Sequence, residues 1–364
     1  MLMKARGSGF GRRALFSLAV AAVPWCASQA FAAGVQDVRP AAQSEIAAQQ
    51  TDSAAAHVAA VERAFDRLDA EAGVRSGGVF PFDYQHLVFY PGRAGTDGEP
   101  VDLWTAVNVG ADRVRGVFDG GWRYSLDLTV ELYRADSLVV SKDARTSLLL
   151  GQPLSPGYAA DKGFPIQARL RVQPGEYRYR IVVRDNGWED DRGVNETSGR
   201  LVVPERVTSQ PFVSSVAIAA DSAGTWTPAP GLDLQLNAAR IVYRNARPFV
   251  YFEAYGLTPG GDYRGEVRVV SRSVTRGAED VFDGAFQPFQ LQYRGTVPPD
   301  PNEPVRKVLR LDLQETRPGP YEVQVRVRDL TTGRASEVRS ARVKVREETN
   351  YQPLLPVAGG DGEG

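Results

Sequence analysis

The segment Pro174-Gly175-Glu176-Tyr177-Arg178-Tyr179-Arg180-Ile181-Val182-Val183-Arg184-Asp185 returns 144 residues later as Pro318-Gly319-Pro320-Tyr321-Glu322-Val323-Gln324-Val325-Arg326-Val327-Arg328-Asp329. In the first copy Tyr177, Tyr179, Ile181 and Val183 fall on one parity, and in the second Tyr321, Val323, Val325 and Val327 do. Period two is the signature of a strand with one buried face. An offset this long exceeds any solenoid repeat and suits a duplicated domain. Each copy follows an apolar stretch (Ala168 to Val172; Val308 to Leu313) and precedes another (Leu201 to Val203; Val343 to Val345). Tyr124, Leu126, Leu128, Val130 and Leu132 alternate in the same way. Turn residues punctuate the chain beyond Gly73, where no sustained helical pattern survives, so the class is a sandwich of antiparallel sheets.

Pro-Gly just before a tyrosine has a mechanical reading. In immunoglobulin-like sandwiches a Tyr at the start of a late strand turns back and bonds its hydroxyl to upstream backbone, with a core residue two positions on. Tyr177 and Tyr321 fit that register as structural tyrosine corners, and Pro and Gly supply the tight turn before each. From Ala41 to Ala70 the chain instead lacks Gly and Pro and is rich in Ala, Gln and Glu. Thr51-Asp52 can cap a helix there, on which Val58, Val61, Phe65 and Leu68 recur at spacings of three and four. That stripe suits packing on the protein's own body, and equally an arm that docks a partner or a second copy of the chain. The expectation is an all-β chain of two tandem immunoglobulin/fibronectin III-like β-sandwiches, residues 79–205 and 211–346, preceded by one amphipathic α-helix in a 41–72 arm. The Gly-rich tail 349–364 holds few buriable side chains and is expected to be disordered.

Lys4, Arg6, Arg12 and Arg13 precede the apolar run Ala14 to Val23, and Ala30-Phe31-Ala32 provides a small-x-small cleavage pattern. This is the layout of a signal peptide over residues 1–32, too short to span a bilayer. It predicts a periplasmic or secreted protein exported by the Sec route, with Arg12-Arg13 leaving the twin-arginine route open. No transmembrane segment is expected after cleavage. Cys26, the one cysteine of the 364 residues, lies within the signal, so no disulfide holds the mature fold. Removing four signal cations from 43 leaves 39 Lys and Arg against 44 Asp and Glu, a mature charge of −5. This balance argues against a chain devoted wholesale to polyanions and against a nucleic-acid partner, although a local patch can hide in a balanced total. With only His57 and His86 available, a catalytic His/Cys centre or zinc site is nearly excluded by inventory.

The series from PGEYRYRIVVRD through Leu201-Val202-Val203-Pro204, Ser214 to Ile218, Phe249 to Leu257 and PGPYEVQVRVRDLTTGRAS resembles the C-terminal tandem sandwich of GWxTD-domain proteins. It is similarly close to the tail that follows the A-type domain in bacterial proteins related to von Willebrand factor A. The resemblance covers about Val101 to Arg346. It implies a paired sandwich and no catalytic residue. Both families carry a further N-terminal domain whose functions do not transfer to this chain. Gly187-Trp188-Glu189-Asp190-Asp191 differs by one residue from the motif that names the first family, but it falls in a loop and is read as coincidence.

Three groups of residues carry chemical options. Asp185, Glu189, Asp190 and Asp191 crowd one loop, fitting a solvated acidic hairpin or a calcium site, although EF-hand spacing fails at Gly187 and Asp190. Tyr251, Glu253 and Tyr255 share one face of the strand Phe249 to Tyr255, whose other face is also apolar. That suits a central strand buried on both sides, or a platform on which the tyrosines stack a ligand and Glu253 orients a sugar or peptide. Val58, Val61, Phe65 and Leu68 form the interaction stripe of the helix. No nucleotide loop, zinc-protease or nucleophile-elbow motif occurs in the mature chain, and no cofactor is expected. The function classes are therefore a non-enzymatic structural or protein-interaction module serving an envelope or secreted partner, a carbohydrate- or peptide-binding protein, and, at the margin, a glycan or peptide hydrolase.

Overall fold

The computed structural model describes residues 55–68, 74–75, 80–91, 99–159, 162–229, 231–272 and 289–347. The expected signal peptide, the flanks of the helical arm with its Thr51-Asp52 cap, and the C-terminal tail lie outside the described residues.

The chain is built from β-strands that form two sandwiches. In the first, β2 (Phe82–Phe89), β3 (Val101–Gly110) and β7 (Gly163–Val172) follow the short β1 (Val74–Arg75) in one sheet, order β1-β2-β3-β7. The facing sheet runs β4 (Val117–Phe118), β5 (Trp122–Arg134), β8 (Gly175–Asp185), β9 (Val194–Val203), with β6 (Ser137–Leu150) on the other side of β5. Within this sandwich every pair is antiparallel. The alternation read in β5 and β8 is the burial pattern: Leu126, Leu128, Val130, Leu132, Ile181 and Val183 are fully buried in one core.

The second sandwich repeats the plan. One sheet orders β10 (Phe212–Val213), β14 (Phe249–Tyr255), β11 (Ala217–Ala229) and β12 (Leu232–Leu236), with β17 (Val305–Arg310) also on β14. The other orders β13 (Ile241–Tyr243), β19 (Arg339–Arg346), β18 (Gly319–Asp329), β15 (Asp262–Ser271) and β16 (Phe289–Thr296). The repeated motif is β8 in one copy and β18 in the other. Each is flanked by its closing strand, β9 or β19, and by the long hairpin strand, β5 or β15. Between β15 and β16 two tyrosines each lie over a glycine of the opposite strand: a Cβ on Gly265 would run into the Tyr293 ring, and one on Gly295 into Tyr263.

The two sandwiches lie face to face. β2 is buried along its whole length, Phe82, Tyr84 and Val88 entering the first core and Leu87 and Phe89 pointing the other way. There they meet Ala217, Ala219, Trp226, Leu234, Leu236 and Tyr251 of the second sandwich in a third apolar cluster. β14 is two-faced in the same sense, sending Val250, Phe252 and Ala254 into the second core. Four sheets are therefore stacked: the inner two are covered on both faces at β2 and β14, while β7 and β17 keep exposed arginines (Arg169, Arg171, Arg306, Arg310), and the outer two expose one face each. Polar ties cross the junction. Val88 N–H donates to Ser215 Oγ (2.9 Å), Ser215 N–H to the Val88 carbonyl (3.2 Å), and Arg240 Nε to Gln85 Oε1 (2.8 Å).

Helix α1 (55–68) precedes the sheets, and a single turn, α2 (Pro156–Ala159), follows β6. Val61, Phe65 and Leu68 are buried in the first core, with Val58 packed at its margin. Among the described residues no helix is long and apolar enough to cross a membrane.

Candidate functional site

The strand expected to be either central or a ligand platform is central. Tyr251 is fully buried, Tyr255 is 3% exposed and Glu253 6%. Neither ring offers a face to solvent, so the platform reading is corrected: the three side chains bond one another inside the junction. Tyr251 Oη donates to Glu253 Oε1 at 2.5 Å, Tyr255 Oη donates to the other carboxylate oxygen, and Arg306 Nε lies 3.4 Å from Oε1. The Tyr255 hydroxyl also accepts from Tyr90 N–H of the first sandwich at 3.0 Å, so this cluster ties the two sandwiches. Burial pushes the Glu253 carboxyl above its ordinary range, against the opposing pull of both phenols and Arg306. Burial, reinforced by Glu253, raises both phenols as well, so they remain protonated donors.

The raised native pKa has a definite sign. The folded state holds the Glu253 proton at a pH where the unfolded chain has released it, so this group's contribution to stability is complete below 4.5 and is lost as pH climbs through the native value. In urea titrations from pH 4 to 8, the stability difference between wild type and Glu253→Gln should shift against wild type as pH rises. A difference that is flat with pH, or that moves in wild type's favour, contradicts the assignment.

The acidic loop divides. Asp185 is 1% exposed and accepts from Gly187 N–H (2.9 Å), which closes its own loop, and from Arg115 N–H (2.8 Å), which ties that loop to the segment before β4. Its repeat counterpart Asp329, also buried, accepts from Thr258 N–H and Oγ1 and from the N–H groups of Thr331 and Thr332. Burial raises the Asp185 pKa despite its donors. At Asp329 burial acts in the same direction, but the larger set of donors outweighs it and the pKa falls. Asp190 is held by Arg192 (2.7 Å), while Glu189 and Asp191 point to solvent. Asp185 faces inward and the others outward, so the four carboxylates do not converge. Among the described residues no three acidic, His or Cys side chains come together as a metal site. The calcium reading is corrected accordingly.

Both repeated tyrosines turn back on the chain: Tyr177 Oη donates to the Gln173 carbonyl at 2.7 Å and Tyr321 Oη to the Arg317 carbonyl at 2.8 Å. The apolar stripe of α1 is consumed by this chain's own core, so Val61, Phe65 and Leu68 are not offered to a partner. Val58, half-buried, instead lines an open groove with Ala55, Ala59, Gln210, Arg334 and Glu337.

The most tightly held charge was not singled out by pattern. Arg339 is buried at the start of β19, places its guanidinium 3.6 Å from the Phe65 ring centroid, and grips Glu62 with two bonds of 2.9 Å. A signal for it existed, because Arg339 shares parity with Ala341, Val343 and Val345, just as Asp185 shares parity with Ile181 and Val183. His86, buried beside Thr105 Oγ1 at 2.9 Å, is held down to about 4 by burial and stays neutral at ordinary pH.

No protein-family model and no curated protein matches the chain. Solved structures similar to it include dimeric latent PorU from Porphyromonas gingivalis, at 13% identity and TM-score 0.24 over 72% of this chain and 20% of that one. The fibronectin(III)-like modules of Clostridium thermocellum CbhA give 16% identity and TM-score 0.18 over 74% of this chain and 99% of that one. A tetra-tandem repeat from the extending region of a large adhesion protein gives 11% and 0.21 over 72% and 49%. The chain thus spans a fifth of the PorU chain and about half of the adhesion segment.

Proposed function

We propose that the protein is an exported, non-enzymatic structural and interaction module that presents its outer surfaces to another envelope or secreted protein. The observation that carries this reading is the use made of the buried polar residues. Asp185 and Asp329 close loops, Glu253 and its tyrosines tie the two sandwiches, and Arg339 with Glu62 fastens the helix. Side chains that elsewhere perform chemistry here serve rigidity, and what remains for recognition lies outside: two outer sheets and the groove beside α1. The groove supports protein contact because it joins small apolar residues, Ala55, Val58 and Ala59, to the opposite charges of Arg334 and Glu337.

Cross-linking and co-purification from the native envelope test this. Wild type is expected to recover a specific partner, and Val58→Arg, at a half-buried site on the margin of the core, to recover less of it while its thermal midpoint still reports a folded protein. Turnover of a glycan or peptide by purified protein, with no partner recovered, would overturn the reading.

A further inference from the structure

Because the sandwiches are copies of one plan, a row of side chains across one outer sheet has its counterpart across the other. In the first, Arg145 on β6, Asp127 on β5 and Arg184 on β8 stand side by side. Asp127 accepts from Arg145 Nε at 2.5 Å and Nη2 at 3.0 Å, so an acid separates two cations. In the second, the corresponding row reads Arg294 on β16, Arg264 on β15 and Arg328 on β18. All three are exposed. Among the described residues none has a carboxylate partner, Arg328 donating only to the Gly333 carbonyl at 3.5 Å. Adjacent strands lie about 4.8 Å apart, and like charges set directly opposite one another destabilise a sheet. The first sandwich relieves this repulsion with Asp127, whereas the second keeps it.

Little on the same face offsets the excess. Glu266 is taken by Arg268 and Glu322 by Arg272 (3.3 Å), while Asp262 sits at the rim accepting from Thr296 Oγ1. Arg326 adds a further cation one row along, opposite Glu266. Beyond it, Gln290, Gln324 and Ser340 flank Arg268 in a row of amides and a hydroxyl. The face thus offers a line of guanidinium groups without carboxylate partners among the described residues and, about 13 Å along the strands, amides and a hydroxyl around the paired Arg268.

We infer that the outer face of β15, β16 and β18, with Ser340 of neighbouring β19, binds an acidic polysaccharide, with its carboxylate or sulfate groups on the Arg294–Arg264–Arg328 row and sugar hydroxyls on Gln290, Gln324 and Ser340. Guanidinium matches such oxyanions through paired, charge-assisted bonds. A single-stranded nucleic acid would want aromatic platforms, and the outward positions of these three strands hold none. A duplex would want an element that projects into a groove. An anionic bilayer would want cations alone, whereas here Glu266, Glu322, Gln290 and Gln324 lie among the arginines of the same face. The inference stands whether or not a protein docks at the helix.

Calorimetric titration of the full chain with polygalacturonate and with dextran sulfate tests it, neutral dextran serving as the blank. Saturable binding of at least one acidic polymer is expected, weakening steeply with salt, with none to neutral dextran. Arg264→Asp, which restores the charge order of the first sandwich, should weaken that binding roughly tenfold or more while its thermal midpoint holds or rises. Arg328→Gln gives the same reading if Arg264→Asp does not fold, and Arg184→Gln in the first sandwich should leave affinity unchanged. Failure to bind either polymer, undiminished wild-type affinity in both row variants, or tighter binding to a single-stranded oligonucleotide or to phosphatidylglycerol vesicles would overturn the inference.

Discussion

Arg339→Met is expected to destabilise the fold by about 3 kcal/mol, the lower end of the cost of breaking a buried ion pair from one side. The lower end applies because the Glu62 side chain keeps 24% of its exposure while that of Arg339 keeps 6%. Burial already acts against both charges, lowering the Arg339 pKa and raising that of Glu62. Without the guanidinium, Glu62 loses its counter-charge and is driven further toward its neutral form. The folded state then holds a proton that the unfolded chain releases, so the deficit should widen as pH rises above 4.5. Adding Glu62→Met to Arg339→Met should recover most of the loss, since an apolar pair of similar volume avoids desolvation altogether. Urea midpoints of the single and double variants decide the matter: a single-variant loss under about 1 kcal/mol would mean the pair is incidental.

Trp226→Ala should cost about 3–5 kcal/mol, as for large aromatic deletions in a closed core. Trp226 is 1% exposed, with ring centroids of Phe89 at 5.4 Å, Trp104 at 6.0 Å and Tyr251 at 4.9 Å. Two of those neighbours come from the first sandwich and one from the second, so the indole fills the junction itself. Deleting it should uncouple the halves: calorimetry is expected to resolve one thermal transition into two. A variant that unfolds in one transition at the wild-type midpoint would show the junction to be carried by the surrounding aliphatic residues and polar ties.

Much of this arrangement is legible in the chain before any coordinates. β5, β8 and β18 have one wet and one dry face, and period two reports that directly. β14 is readable for the opposite reason, since a strand apolar on both parities needs cover on both sides. β2 is not readable in this way. Its second face mixes Asp83 and Gln85 with Leu87 and Phe89, and only the second sandwich, far along the chain, makes that face an interior. The same gap explains the helix and the acidic loop. Val61, Phe65 and Leu68 announce a stripe that must be covered, but not by what. Asp185 and Asp190 are the same residue type five positions apart, and their fates differ because strand parity carries the first inward while the second lies beyond the strand's end. The arginine row on the outer sheet was hidden by a near-neutral total, and it emerges only when register sets Arg294, Arg264 and Arg328 abreast.

The face-to-face stacking of the sandwiches bears on how the molecule would behave under mechanical load. Modules strung end to end act as a spacer, adding reach with each copy and yielding one at a time when pulled. Here the two copies lie side by side with their inner sheets pressed together, so the second adds thickness and stiffness rather than length. Opposed forces applied parallel to the junction, one to each copy, load the aromatic layer and its polar ties in shear, all at once. Such a body resists as a block, suited to holding a surface at a fixed bearing rather than to reaching across a gap.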